Sequence, residues 1–166
     1  MFRIFIIGVL LLSFKSFFGQ GKVESKPYDL MLKALLSHSV NEVNVKEVIG
    51  DTTIVFLDAR EKREYEVSHI KTAKWVGYDD FKMKRVDAIP KNKKVVVYCS
   101  VGYRSEKIAE KLMESGYTEV SNLYGGIFEW KNQENPVYNK NGEMEKIHAY
   151  DKTWGIWLNK GEKVYK

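Results

Sequence analysis

Val95-Val96-Val97-Tyr98-Cys99-Ser100-Val101-Gly102-Tyr103-Arg104-Ser105 joins a β-branched run to an abrupt change of character at Cys99. The apolar run, prefaced by Lys93-Lys94, predicts a strand over 93–98 that is buried on both faces. A helix is signalled from Ser105 to Glu114. Ile108, Ala109, Leu112 and Met113 would form its apolar stripe, and Gly116 stands where a C-terminal cap belongs. Such a strand delivers Cys99 to its C-terminal end, the edge at which open α/β sheets bind ligands. The chain must then turn sharply, and Gly102 gives the backbone that freedom. In this geometry successive backbone N–H groups can converge on one point and form an anion-binding nest. The helix N-terminus adds partial positive charge, and Arg104 adds a permanent charge and a fork of donors. All three favour a sulfur anion, which makes Cys99 a candidate nucleophile. A free cysteine on its own is more often a small buried hydrophobe. It is the conjunction of strand, glycine, arginine and helix start that points to chemistry.

Outward from this stretch, strands and helices alternate. Thr52–Asp58 reads as a buried strand, Glu61–Val67 as a helix, Ala73–Val76 as a short strand and Asp79–Lys84 as a helical turn. Val120–Leu123 reads as a further strand and Ile127–Asn132 as a short helix. Before them, Pro27 can start a helix with Leu30, Met31, Ala34 and Leu35 at helical spacing, followed by an extended piece at Val43–Val45. The alternation argues for an α/β fold on a parallel sheet. After Pro136 the character changes. Asn141-Gly142 is a turn signal, and Trp157–Tyr165 reads as a hairpin. Tyr150, Trp154, Trp157 and Tyr165 are expected to pack this tail against the domain, with coverage of a partner or ligand as the alternative.

The 166 residues, 44% hydrophobic and 30% charged, suit one globular domain with a short appendage. A single cysteine excludes an internal disulfide framework and a Cys-pair zinc site, and three scattered histidines argue against a His-based metal centre. The net charge of +5 is spread along the chain and gives no nucleic-acid footprint. Met1-Phe2-Arg3, the apolar Ile4–Phe14 and the small residues Gly19 and Gly21 have the layout of a secretory signal peptide over residues 1–20. This segment predicts export, to a periplasmic or extracellular location. Membrane anchoring through an uncleaved segment is the second reading.

Cys99-Ser100-Val101-Gly102-Tyr103-Arg104-Ser105 resembles the active loop of the rhodanese family of sulfurtransferases, in its single-domain form. Leu57-Asp58-Ala59-Arg60, Glu64-Tyr65, His69-Ile70, Gly116-Tyr117 and Leu123-Tyr124-Gly125-Gly126-Ile127-Phe128-Glu129-Trp130 extend the likeness in the same order. The resemblance implies an α/β rhodanese-like domain at residues 40–136, with a mainly parallel sheet flanked by helices on both faces. An N-terminal helical segment (22–39) precedes it, and an aromatic-rich C-terminal extension with a short hairpin (137–166) follows. It further implies that Cys99 takes a sulfane sulfur from a small anionic donor such as thiosulfate and passes it, as a persulfide, to a thiophilic acceptor such as cyanide or a thiol. Ser100, Val101, Gly102, Tyr103, Arg104 and Ser105 would bind the substrate, with no metal or organic cofactor and no nucleic acid. Arg104 would draw in the donor by direct contact or through its field. Asp58 and Arg60 are expected to form an ion-paired scaffold beside the loop. His69 is expected to be structural, Lys91, Lys93 and Lys94 to form a solvated turn, and Lys71 and Lys74 to add positive potential. Ser68-His69-Ile70-Lys71-Thr72-Ala73 departs from the family's usual turn. The alternatives are a non-catalytic rhodanese-like binding module and a cysteine phosphatase or arsenate reductase. The latter pattern has five residues between Cys and Arg, where this chain has four.

Overall fold

The computed structural model describes residues 23–166, so the export signal expected over residues 1–20 lies outside the described residues. The chain runs α1 (Lys26–Leu35), β1 (Asn41–Val43), α2 (Val45–Val48), β2 (Val55–Asp58), α3 (Lys62–Val67) and β3 (Lys74–Trp75). A 3-10 turn (Met83–Arg85), β4 (Val95–Tyr98), α4 (Tyr103–Glu114), β5 (Val120–Leu123) and α5 (Gly126–Asn132) follow. The five strands form one sheet in the order β1-β5-β4-β2-β3, with every pairing parallel.

The period-two alternation of β4 divides the core. Val96 and Tyr98 face one hydrophobic cluster, with Tyr28, Leu32, Ile127 and Phe128. Val95, Val97 and Cys99 face the other, with Ile108, Ala109 and Leu112 of α4. A strand buried on both sides has no polar face to spare, which is why its sequence is a continuous apolar run. From β2 the chain moves to β3 on one side, and from β4 it moves to β5 on the other. The C-terminal ends of the neighbours β2 and β4 therefore flank the point where strand order reverses, where open α/β sheets form a crevice.

Local differences from the sequence reading have identifiable causes. In α1 the buried apolar positions are Tyr28 and Leu32, while Leu30 is 71% exposed and Ala34 faces solvent. The phase is set by Tyr28, whose hydroxyl donates to the Gly125 carbonyl at 2.8 Å. Helix α4 begins at Tyr103, two residues before the expected Ser105, and Met113 lies outside its buried stripe. It closes as a Schellman cap: Tyr117 N–H donates to Leu112 O and Gly116 N–H to Met113 O. The hairpin of the C-terminal segment is β6 (Val137–Asn139) with β7 (Gly142–Met144), around Asn141-Gly142. Residues 157–165 form no hairpin: β9 (Glu162–Val164) pairs in parallel with β8 (Lys146–His148), and a 3-10 turn (Trp154–Trp157) lies between them. Asn132 Oδ1 captures the N–H groups of Asn159 and Lys160, and Trp157 stacks on Tyr28 at 5.3 Å, so the segment is tied to the domain before it can fold back on itself. No helix among the described residues is long and apolar enough to cross a membrane.

Candidate active site

Cys99 follows β4 directly and is 1% exposed. Its Sγ accepts a hydrogen bond from the Gly102 N–H at 3.1 Å, so the loop folds back over the sulfur. Gly102, the N-cap of α4, has φ 125°, in the region that favours glycine. Its carbonyl accepts from Asn122 Nδ2 at 3.0 Å, and the Ser105 hydroxyl donates to Asn122 Oδ1 at 2.7 Å. Behind the loop, the N–H groups of Ile127 and Phe128 donate to the carbonyls of Cys99 and Ser100. The amides of Tyr103, Arg104 and Ser105 lie in the first turn of α4, where N–H groups have no preceding helical acceptor.

The structure divides the substrate-binding residues expected from the sequence. Tyr103 lies on the pocket rim, exposed. Val101 packs into the core, and Ser105 is fully buried and serves the loop through Asn122. Arg104 lines the pocket with its guanidinium tied back to two partners. Its Nη1 and Nη2 donate to Glu64 Oε2 and Oε1 at 2.7 and 2.9 Å, and its Nη2 also donates to Ser100 Oγ at 3.0 Å. Ser100 Oγ in turn donates to Glu64 Oε1 at 3.1 Å. Tyr150 lies over the guanidinium, with 5.0 Å from its carbon to the ring centre. Burial pushes the Glu64 carboxyl up, but Arg104, and Arg60 beyond it, hold it down at about 2. One step further in, Arg60 and Asp58 form a fully buried ion pair at 2.6 Å, with Arg60 Nη2 also donating to the Ser68 carbonyl at 2.6 Å.

Glu64 and Asn122 are site residues that the sequence does not single out, whereas Tyr150 and Trp154 line the pocket, the position that the alternative of ligand coverage allows. Glu64 is separated from Arg104 by forty residues and Asn122 from Gly102 by twenty. The Glu64-Tyr65 pair in the family likeness was the only signal that could have flagged the first. His69 hydrogen-bonds the Tyr65 carbonyl at 3.0 Å and stacks on the Tyr65 ring. Lys71 lies over Tyr138 and Lys74 is exposed; neither lines the pocket.

A cavity of about 520 Å³ opens in front of Cys99. Ser100, Val101, Tyr103 and Arg104 line it from the loop, Leu35 from α1, and Glu61, Tyr78 and Asp79 from the ends of the β2 and β3 connections. Tyr150 and Trp154 complete it from the C-terminal segment. Tyr150 sits there at φ 65°, a left-handed conformation that costs a non-glycine residue about 1–3 kcal/mol. Its N–H donates to His148 Nδ1 at 3.1 Å.

Comparison with known proteins matches residues 43–133 to the rhodanese-like domain. A tRNA uridine(34) hydroxylase of Hamiltonella defensa is 38% identical over 101 residues, covering 58% of this chain and 27% of that protein. One from an Enterobacter species is 34% identical over 91 residues, covering 52% and 26%. The chain thus spans about a quarter of the length of these relatives. Among solved structures, a Bacillus halodurans protein superposes with a TM-score of 0.56 at 24% identity, covering 70% of this chain and 86% of that one. A thiosulfate sulfurtransferase of Pseudomonas aeruginosa superposes with a TM-score of 0.55 at 19% identity, covering 68% and 23%. At these identities the structural likeness is one of fold.

Proposed function

The chain belongs to the rhodanese-like family, and from that premise we propose that it transfers sulfane sulfur through a persulfide on Cys99. The observation that carries this reading is the sulfur itself, at the head of a pocket, with a backbone N–H already donating to it at 3.1 Å. The Cys99 thiolate attacks the outer sulfur of a donor such as thiosulfate. A bond forms between Sγ and that sulfur, the donor's S–S bond breaks, and sulfite leaves with the electron pair. The terminal sulfur of the persulfide is an anion, and the loop N–H groups and the start of α4 stabilise it. A thiophile such as cyanide or a thiol then attacks the terminal sulfur and returns the electron pair to Sγ, giving ping-pong turnover. No outside oxidant or reductant takes part. In this reading Arg104 holds the loop in place through Glu64 rather than gripping the donor.

Four residues between Cys99 and Arg104 give a cradle sized for one sulfur, tighter than a phosphatase loop. A role on a tRNA base, as the names of the curated relatives suggest, is the second reading, favoured by the 38% identity over 101 residues. Glu61 and Asp79 at the rim oppose it, because they would repel a phosphate backbone.

Incubation with a sulfane donor should make the protein one sulfur atom heavier by intact mass, and cyanide should remove that atom. Cys99→Ser should abolish the gain, and phosphate esters should not be hydrolysed. A wild-type protein that gains no sulfur, or one that turns over phosphate esters at a comparable rate, would overturn the reading.

A further inference from the structure

The pocket in front of Cys99 is ill matched to a small dianion. At about 520 Å³ it falls in the range of cavities that hold drug-sized organic molecules, more room than thiosulfate would fill. Four aromatic rings line it: Tyr78 and Tyr103 from the domain, Tyr150 and Trp154 from the segment beyond the family match. Its charges point the same way. Arg104 is the single basic residue lining it among the described residues, and Glu64 neutralises that charge in a two-point contact. Two carboxylates, Glu61 and Asp79, line the rim. Glu61 pairs with Arg63, whereas Asp79 is exposed and makes no ion pair among the described residues. The side-chain charges at the mouth therefore sum to neutral or negative, so the pull on an anion comes from the loop N–H groups deeper in and not from the rim.

We propose that the C-terminal segment selects the sulfur carrier, with Tyr150 and Trp154 making this pocket a site for an uncharged or cationic organic thiol and its hydropersulfide. This rests on the sulfur-transfer reading and narrows its substrate. The two aromatic rings cover the carrier's apolar body, and the rim carboxylates accept a cationic head and turn away an anionic one. In the transfer step the carrier's thiol sulfur bonds to the terminal sulfur of the Cys99 persulfide. The Sγ–S bond breaks with its electron pair going to Sγ, and the carrier leaves as R–S–SH. The reverse step loads the enzyme from R–S–SH.

The test uses the full chain, loaded at Cys99 with excess inorganic polysulfide. It is then discharged into benzyl mercaptan, 2-mercaptoethanol, cysteamine or 3-mercaptopropionate at equal thiolate concentration. Cysteamine and benzyl mercaptan should outpace the anionic mercaptopropionate by about tenfold, the scale of one charge meeting one unpaired carboxylate near a protein surface. Asp79→Asn, at an exposed position where folding is not at stake, should shrink that gap several-fold, and added salt should do the same. Tyr150→Ala and Trp154→Ala should lower the preference for benzyl mercaptan over 2-mercaptoethanol by about five- to tenfold, chiefly through KM. Equal rates for cysteamine and mercaptopropionate that Asp79→Asn leaves unmoved would overturn the inference while sulfur transfer stands. So would Tyr150 and Trp154 variants that slow every thiol alike. A Cys99 that accepts no sulfur from polysulfide would overturn both readings together.

Discussion

The Arg104 guanidinium, gripped at two points by a carboxylate that is itself fully buried, shows how much of this site is scaffold. A buried carboxylate is costly unless it is paired. Glu64 is paired so well that its carboxyl titrates at about 2, against 4.5 for the free side chain. Because that value lies below the one in the unfolded chain, the pair favours folding at neutral pH and loses its contribution as pH falls from about 4.5 to about 2. A shift of that size corresponds to about 3 kcal/mol. Glu64→Gln should therefore cost about 3–5 kcal/mol at pH 7, because it leaves the Arg104 charge without its counter-ion, and it should loosen the Cys99 loop. Urea unfolding of both proteins at pH 7 and pH 3 would check this. The two should differ strongly at pH 7 and by less than half as much at pH 3, since the gap closes only as pH approaches about 2; equal midpoints at pH 7 would show that the pair does not hold the loop. None of this was legible in a linear reading. Arg104 stands out in sequence as a free cation beside a cysteine, and only the fold brings α3 beneath it.

The unit built from β4, the loop and α4 was the most legible part of the chain, because strand, turn and helix follow one another without a gap and each carries its own signal. Less visible was what supports the loop from behind. Gly126, at φ 57°, lies so close that a Cβ there would meet the Cys99 carbonyl oxygen at 2.4 Å and the Ser100 carbonyl oxygen at 2.6 Å. The start of α5 can donate to those two carbonyls only because nothing projects from that position. Gly126→Ala should cost about 2–4 kcal/mol, a backbone clash added to a left-handed conformation. Gly116→Ala provides the control. At φ 90° it shares the unusual conformation, but a Cβ there meets nothing within 4 Å, so it should cost only about 1–2 kcal/mol. Urea midpoints of the two variants decide the matter, and equal losses would mean that close packing behind Cys99 contributes nothing. The phase of α1 escaped the sequence for a related reason. Apolar residues at 30–32 and 34–36 permit more than one buried face, and a hydroxyl reaching to Gly125 selects between them.

Across the whole molecule, the segment after Pro136 belongs to the same body as the domain before it. Val137, Ile147, Ala149 and Leu158 are buried in one cluster with Phe56, Tyr98 and Phe128. The Ser68 hydroxyl donates to the Lys146 carbonyl at 2.6 Å. The aromatic spacing of 150–165 announced a packed tail, but no local signal in the sequence could place its rings on the wall of a pocket facing Cys99. One residue links the docking to pH. His148 is fully buried, and its Nδ1 must be unprotonated to accept the Tyr150 N–H that presents the ring over Arg104. Burial lowers the tendency of His148 to take a proton, Arg63 and Arg60 act in the same direction, and Glu64 and Glu61 pull against them. Since the imidazole titrates lower in the folded chain than in the unfolded one, it imposes no penalty above the ordinary histidine range near 6.5. Below that range it weakens folding increasingly, until its own lowered value is passed. His38, raised by its exposed contact with Glu42, acts in the opposite sense, so the comparison must be with a variant of His148 alone. His148→Asn keeps an oxygen that can accept from Tyr150 and never titrates. The urea midpoint of the wild type should fall between pH 7 and pH 5 more steeply than that of the variant, and the protection factors for amide exchange at residues 147–150 should drop over the same interval in the wild type only. Parallel midpoints across that interval would mean that the neutral imidazole does not hold the aromatic wall in place.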